Sequence, residues 1–86
     1  MHTVNLEKAR LLIERGADVN ARDNAGNTPL MHGLGNFETA KLLLESGADA
    51  DARDSFGRTP IMLATDAETV GLLLENGADA NVRTEQ

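Results

Sequence analysis

The sequence predicts an all-α solenoid of stacked helix-turn-helix units, about two and a half of them, joined by β-turn or hairpin loops. Three observations predict it. One stretch is written three times: LLIERGADVNARD from Leu11 to Asp23, LLLESGADADARD from Leu42 to Asp54, and LLLENGADANVR from Leu72 to Arg83. A second echo follows the first two copies, GNTPL from Gly26 to Leu30 and GRTPI from Gly57 to Ile61. The glycines Gly16, Gly47 and Gly77 set periods of 31 and 30 residues, a spacing at which each unit buries its apolar face only against its neighbours. Finally, the chain is 41% apolar yet has only Phe37 and Phe56 as aromatics. A core of Leu, Ala, Ile, Val and Met suits thin helical layers better than a sheet sandwich.

The first helix is marked by Leu6, Ala9, Leu12 and Ile13 at helical spacing, with Asn5 placed to cap it and Glu7 in its first turn, where a negative charge suits the helix dipole. It stops at Gly16, the C′ residue that takes φ > 0 without a Cβ clash. The construction recurs from Asn36 through Phe37, Ala40, Leu43 and Leu44 to Gly47, and from Asp66 through Ala67, Val70, Leu73 and Leu74 to Gly77. Thr65 and Glu68 also fit a capping box for the third helix. Phe37, in register with Leu6 and Ala67, is expected in the helical core. Between these helices, Thr28-Pro29 and Thr59-Pro60 combine an N-cap residue with Pro at the first helical position, so a short helix starts at each. Gly33 and Gly35 weaken the first of these, each by about 1 kcal/mol relative to Ala if helical, and shorten it to one or two turns.

TPLMHG and TPIMLA resemble the T-P-L-H-x-A signature of ankyrin repeats, and Leu-Leu-Leu-Glu-x-Gly-Ala-Asp is similar to the end of the ankyrin outer helix with its following β-turn. The match covers nearly the whole chain, with both motifs in the same order. It implies one domain over 1–86, made of a partial repeat 1–23 and repeats 24–54 and 55–86. Ankyrin repeats run to about 33 residues, so two and three residues are missing, and alignment from both sides puts the loss between inner and outer helices. In the last repeat only Thr65 and Asp66 separate Ala64 from Ala67, which leaves two helices or one kinked helix over 60–76. Met31 and Met62 stand where the family usually has His. The first unit has no Thr-Pro helix before it and the last no Gly-x-Thr-Pro after it. A longer array, end-to-end self-association and a marginal monomer each fit that pattern.

An excess of 14 acidic over 8 basic residues, net −6, argues against a nucleic-acid surface, which needs clustered Lys and Arg; a basic or neutral protein partner fits the balance better. No cysteine is present, so neither disulfides nor thiolate metal sites arise. No run approaches the roughly 18 apolar residues of a membrane span, and MHTVNLEKAR lacks a signal-peptide core; a soluble, cytoplasmic chain is expected. A catalytic constellation is not legible. His2 lies near the terminus, and His32 is expected on the exposed inner face as a solvated or contact residue. Asp18, Asp23, Asp49, Asp51, Asp54 and Asp79 recur in turns, where Asp bonds its own backbone two residues on; the trio Asp49, Asp51 and Asp54 lacks the glycine spacing and terminal Glu of a calcium loop. No enzyme activity, cofactor or metal is implied.

In ankyrin arrays the turn tips and inner helices line the concave binding surface. The resemblance therefore implies a protein-interaction module whose partner-binding residues are Arg22, Asn24, Ala25, Asn27, His32, Arg53, Ser55, Phe56, Arg58 and Leu63. Phe56 serves there either as an interface anchor or as packing beside Ala25. The alternative is a minimal structural unit, natural or engineered, that stacks end to end and forms a homo-oligomer through the N-terminal helix face.

Overall fold

A computed structural model describes residues 6–81. Five helices appear in order: α1 (Leu6–Glu14), α2 (Pro29–His32), α3 (Phe37–Glu45), α4 (Pro60–Leu63) and α5 (Ala67–Glu75). The long helices α1, α3 and α5 pack side by side in one row; α2 packs on α3 and α4 on α5, and α2 also meets α4. Helices α1 and α5 make no packing contact, so burial runs from each unit to the next, as the repeat predicts. The expected cap Asn5, with His2, Val82 and Arg83, lies outside the described residues.

Each long helix ends in the same way. Gly16, Gly47 and Gly77 take φ of +81°, +101° and +92°, and the following Ala17, Ala48 and Ala78 amides donate to the Leu12, Leu43 and Leu73 carbonyls at 2.9, 2.9 and 3.0 Å. This is the Schellman closure. The starts are equally local: Asn36 Oδ1 accepts from Thr39 N at 3.1 Å and Asp66 Oδ1 from Thr69 N at 2.7 Å. Asp66 therefore caps α5, and the box expected from Thr65 and Glu68 is not the cap; the Asp66 carboxylate, one residue nearer the helix, reaches the free amide. That amide holds the Asp66 carboxyl below its ordinary range.

The connection between α4 and α5 is a true break, since Ala64 is extended (φ −70°, ψ 139°), and residues 60–76 form two helices. Both inner helices are single turns. Thr28 Oγ1 caps α2 by accepting from Met31 N at 3.4 Å, whereas Thr59 holds the N-cap position of α4 without a side-chain bond. Gly33 ends α2, its amide shared between the Pro29 and Leu30 carbonyls.

The core joins Ala9, Leu30, Leu34, Ala40, Leu43, Leu44, Ala50, Leu72 and Leu73. Phe37 is not part of it. At 36% exposure the ring lies on the outside, where it lines a depression with Ala67, Glu68, Gly71, Leu72 and Glu75 of α5; Ala40, Leu43 and Leu44 already occupy the inward positions of α3. Equivalent leucines differ according to their neighbours. Leu44 is 7% exposed beneath the third unit, while Leu74, its counterpart, is 44% exposed. Leu43 and Leu73 are buried by their inner helices, while Leu12 and the preceding Leu11 stand open.

Leu43→Ala should therefore cost about 2–5 kcal/mol, a large share of the stability of so small a domain, and Leu11→Gln should stay within about 0.5 kcal/mol. Urea unfolding followed by circular dichroism checks this; equal losses would show that the repeats do not pack as described.

Candidate functional site

The sequence-expected contact residues fall on two five-residue tips, Asp23 to Asn27 and Asp54 to Arg58, on the arginine just before each (Arg22 and Arg53), and on the inner helices that follow. Both tips fold in the same way because one Asp side chain organises each. Asp23 Oδ1 accepts from the Ala25 and Asn27 amides, both at 2.9 Å, and Asp54 Oδ1 accepts from the Phe56 and Arg58 amides, also at 2.9 Å. Main-chain bonds close the loops: Asp23 N to Asn27 O at 3.0 Å and Asp54 N to Arg58 O at 2.9 Å. These are the hairpin-like loops expected between units, with no strand among the described residues.

The tips are also joined to each other. Ser55 N donates to Ala25 O at 3.0 Å. Gly26, at φ +79°, sits so close that a Cβ there would lie 2.8 Å from Ser55 N, a second reason besides its dihedral for glycine at this point. The Arg22 Nη1 donates to the Gly26 carbonyl at 3.2 Å and also to the Arg53 carbonyl, while Arg53 Nη1 donates to Gly57 O at 2.6 Å. Below the tips Asn20 stitches the units together, its Nδ2 donating to Gly47 O at 3.1 Å and its Oδ1 accepting from Asp49 N at 2.7 Å. Asp51 repeats the bridge by accepting from Asp79 N at 2.9 Å.

The two tips differ in what meets the second carboxylate oxygen. Asp54 Oδ2 receives Arg58 Nε at 2.8 Å, and its side chain is only 1% exposed. Burial by itself pushes this carboxyl up; the Arg58 amide, the Arg58 guanidinium and the Phe56 amide outweigh it and hold it below the ordinary carboxylate range. Asp23 is open to solvent, its side chain 45% exposed, and its Oδ2 meets His32 Nε2 at 2.8 Å. The His32 bond first, then the Asn27 and Ala25 amides, lowers that carboxyl.

Of the expected contact residues, Arg22, Asn24, Ala25, Arg53, Ser55, Phe56 and Arg58 are exposed, and Asn27 and His32 are half-buried. Leu63 is only partly open and packs against the core. His32 is not simply solvated, because its ring is tied to Asp23. Phe56 is 70% exposed, and the Arg58 guanidinium carbon lies 5.0 Å from its ring centroid, a cation–π geometry. Arg22, Asp23, Asn27 and His32 line an open depression of about 230 Å³ with Ala21 and Pro29. The sequence reads Asp23 and Asp54 as turn aspartates that bond the amide two residues on, and they do; the second amide each holds, four residues on, is signalled by their fixed distance before the tip's last residue, Asn27 or Arg58. Of the remaining turn aspartates, Asp18, Asp49 and Asp79 each bond the amide two residues on, at 2.9, 2.9 and 2.8 Å, whereas Asp51 departs from that expectation and accepts from Asp79 N of the next unit.

No helix among the described residues is long and apolar enough to cross a membrane. Asp54→Asn keeps the acceptor for the two amides but sets an NH₂ against Arg58 Nε. It should cost about 1–3 kcal/mol, or roughly 4–8 °C of melting temperature per kcal/mol. The open Asp23→Asn should cost less. Because the folded Asp54 carboxyl is depressed, its stabilisation is complete above the ordinary Asp pKa near about 4 and is lost as pH falls through the folded value; acid melts of wild type and Asp54→Asn should therefore begin to approach one another below about pH 4 and meet only below the folded value.

Comparison with known proteins agrees with this geometry. A family model described as ankyrin repeats (3 copies) matches residues 1–84. No curated protein matches the chain.

Proposed function

The chain belongs to the ankyrin repeat family, whose members generally serve as protein–protein interaction modules, and on that premise we propose that it binds a protein partner through its two tips and the adjoining inner-helix face. The observation that carries this is Phe56. An aromatic ring 70% exposed, on a tip whose backbone is fixed by Asp54 and by the bond from Ser55 to Ala25, is costly to leave in water and preorganised for contact; such rings are typical interface anchors. Arg58 holds one face of the ring and leaves the other open. Around it, Arg22, Asn24, Ala25, Asn27, Arg53 and Ser55 supply the varied side chains that set specificity, and His32 lines the depression beside them. Leu63 contributes an edge at most, because it is shared with the core. The reading includes no catalysis: His32 and the tip aspartates, the groups near the tips from which a catalytic set would be drawn, are engaged in holding the tips.

A second reading, self-stacking, is favoured by the exposed leucines at both ends of the row, Leu11 and Leu12 on α1 and Leu74 on α5. In it the N-terminal helix face of one copy covers the α5 face of another. Light scattering separates the two readings: growth of apparent mass with concentration, abolished by Leu74→Gln, supports stacking, and a strict monomer at high concentration sinks it.

For the protein-binding reading, partners captured from the native host's extract by the wild-type chain should be lost with Phe56→Ala together with Arg58→Ala. Phe56→Ala alone should weaken binding while shifting the melting temperature by no more than about 2–4 °C, the equivalent of about 0.5 kcal/mol for an exposed site. A large loss of stability would instead show that the ring packs the tips together.

A further inference from the structure

Taken with the flanking Arg22 and Arg53, the tips carry a local charge opposite to that of the whole chain. Net charge is −6, yet the tips and their flanking residues present the guanidinium groups of Arg22, Arg53 and Arg58, while the oxygens of both tip carboxylates are engaged by neighbouring groups. Asp54 is nearly inaccessible and each of its oxygens is bonded. Asp23 has Oδ1 on two amides and Oδ2 on His32. Arg22 donates only to backbone carbonyls, those of Gly26 and Arg53, and so keeps its full charge. Arg53 is held by the Gly57 carbonyl. Arg58 gives its Nε to Asp54 and keeps the terminal NH₂ groups of its fork beside the Phe56 ring.

Resting on the protein-binding reading, we propose that the tips dock a short carboxylate-bearing peptide segment, with Phe56 taking an apolar side chain and Arg22, Arg53 and Arg58 taking flanking Asp or Glu side chains. The carbonyl bonds preposition the arginines, so little rotamer freedom is lost when a carboxylate arrives, and a planar fork matches a carboxylate in two parallel bonds. The acidic composition of the chain as a whole points instead to a basic or neutral partner, but most of the excess negative charge lies away from the tips. A long polyanion is disfavoured for the same reason. Exposed Asp18, Asp49, Asp51 and Asp79 follow the helix ends and repel a nucleic-acid backbone that runs past the tips.

The experiment is selection of a random-sequence phage-displayed peptide library on the intact chain, followed by titration of a synthetic winning peptide and its Gln/Asn counterpart. Winners should place Asp or Glu beside an apolar residue. The amide counterpart should bind about tenfold weaker, and Arg22→Gln and Arg53→Gln should each weaken binding roughly three- to tenfold, with added salt acting in the same direction. Arg22→Lys, which keeps the charge but not the fork, should fall between wild type and Arg22→Gln, and circular dichroism verifies that each variant is folded. Lys- or Arg-rich winners, uncharged winners, or acidic winners indifferent to Arg22→Gln would overturn the carboxylate assignment and leave the protein-binding reading standing. Tighter binding of a single-stranded oligonucleotide than of the acidic peptide would overturn it as well. No enrichment at all would overturn docking of a peptide segment, and loss of host-extract capture in the Phe56 and Arg58 variants would still test the broader reading separately.

Discussion

A single turn of helix does not persist in water, since fixing its first residues yields one hydrogen bond, and isolated helices below about 12–15 residues are marginal. The rest of this structure depends on that constraint. Helices α2 and α4 have four residues each and exist only because something holds them on both sides. On one side Thr28 or Thr59 follows directly from a tip fixed by an Asp carboxylate. On the other, α3 or α5 supplies the apolar surface that covers Leu30 and the half-buried Ile61. Remove either support and the inner helix has no reason to form. Folding is therefore cooperative across neighbouring units, as expected of a nearest-neighbour array.

The same constraint explains why the tips are so heavily bonded. A loop that must deliver a proline into a one-turn helix at a fixed angle cannot be slack. Each tip is accordingly closed by two main-chain bonds and by two amides that donate to one carboxylate oxygen. The cross-links from Ser55, Arg22 and Asn20 then fix one loop against the next. Rigidity that the fold needs for its own sake becomes preorganisation for a partner, because exposed side chains on these loops start from a fixed backbone.

Local physics was legible in the sequence and non-local physics was not. The glycine stops, the Asn36 cap, the Thr-Pro starts and the order of the helices depend on a few adjacent residues, and a short motif carries that information. Asp66 rather than Thr65 caps α5 because two residues in a row satisfy cap chemistry and only geometry shows which reaches the amide. Phe37 was misplaced for a different reason. Helical spacing identifies an apolar stripe but not its edge, and Phe37 sits at the edge, opposite the small Ala67 and Gly71. The bonds from Asn20 to Gly47 and Asp49 span 27 and 29 residues, and no local motif announces them. At the candidate site the residue types were legible, while their engagement was not: His32 and Asp23 stand nine residues apart.

That engagement gives the two tips different mechanical connections. Asp54 is completed by Arg58, a residue of its own tip, so the carboxylate of the second tip finds all its partners within residues 54–58. Asp23 is completed by His32, the last residue of α2, so the first tip is tied to its inner helix through the His32 ring. In α4 the corresponding position is Leu63, which packs against the core and offers no such tie. A contact that pulls on Asn24 or Ala25 is thus transmitted through Asp23 into α2 and, through Leu30, into the core. A contact on Phe56 is borne first by Arg58 and Asp54, and it reaches the first tip through the backbone bond from Ser55 to Ala25.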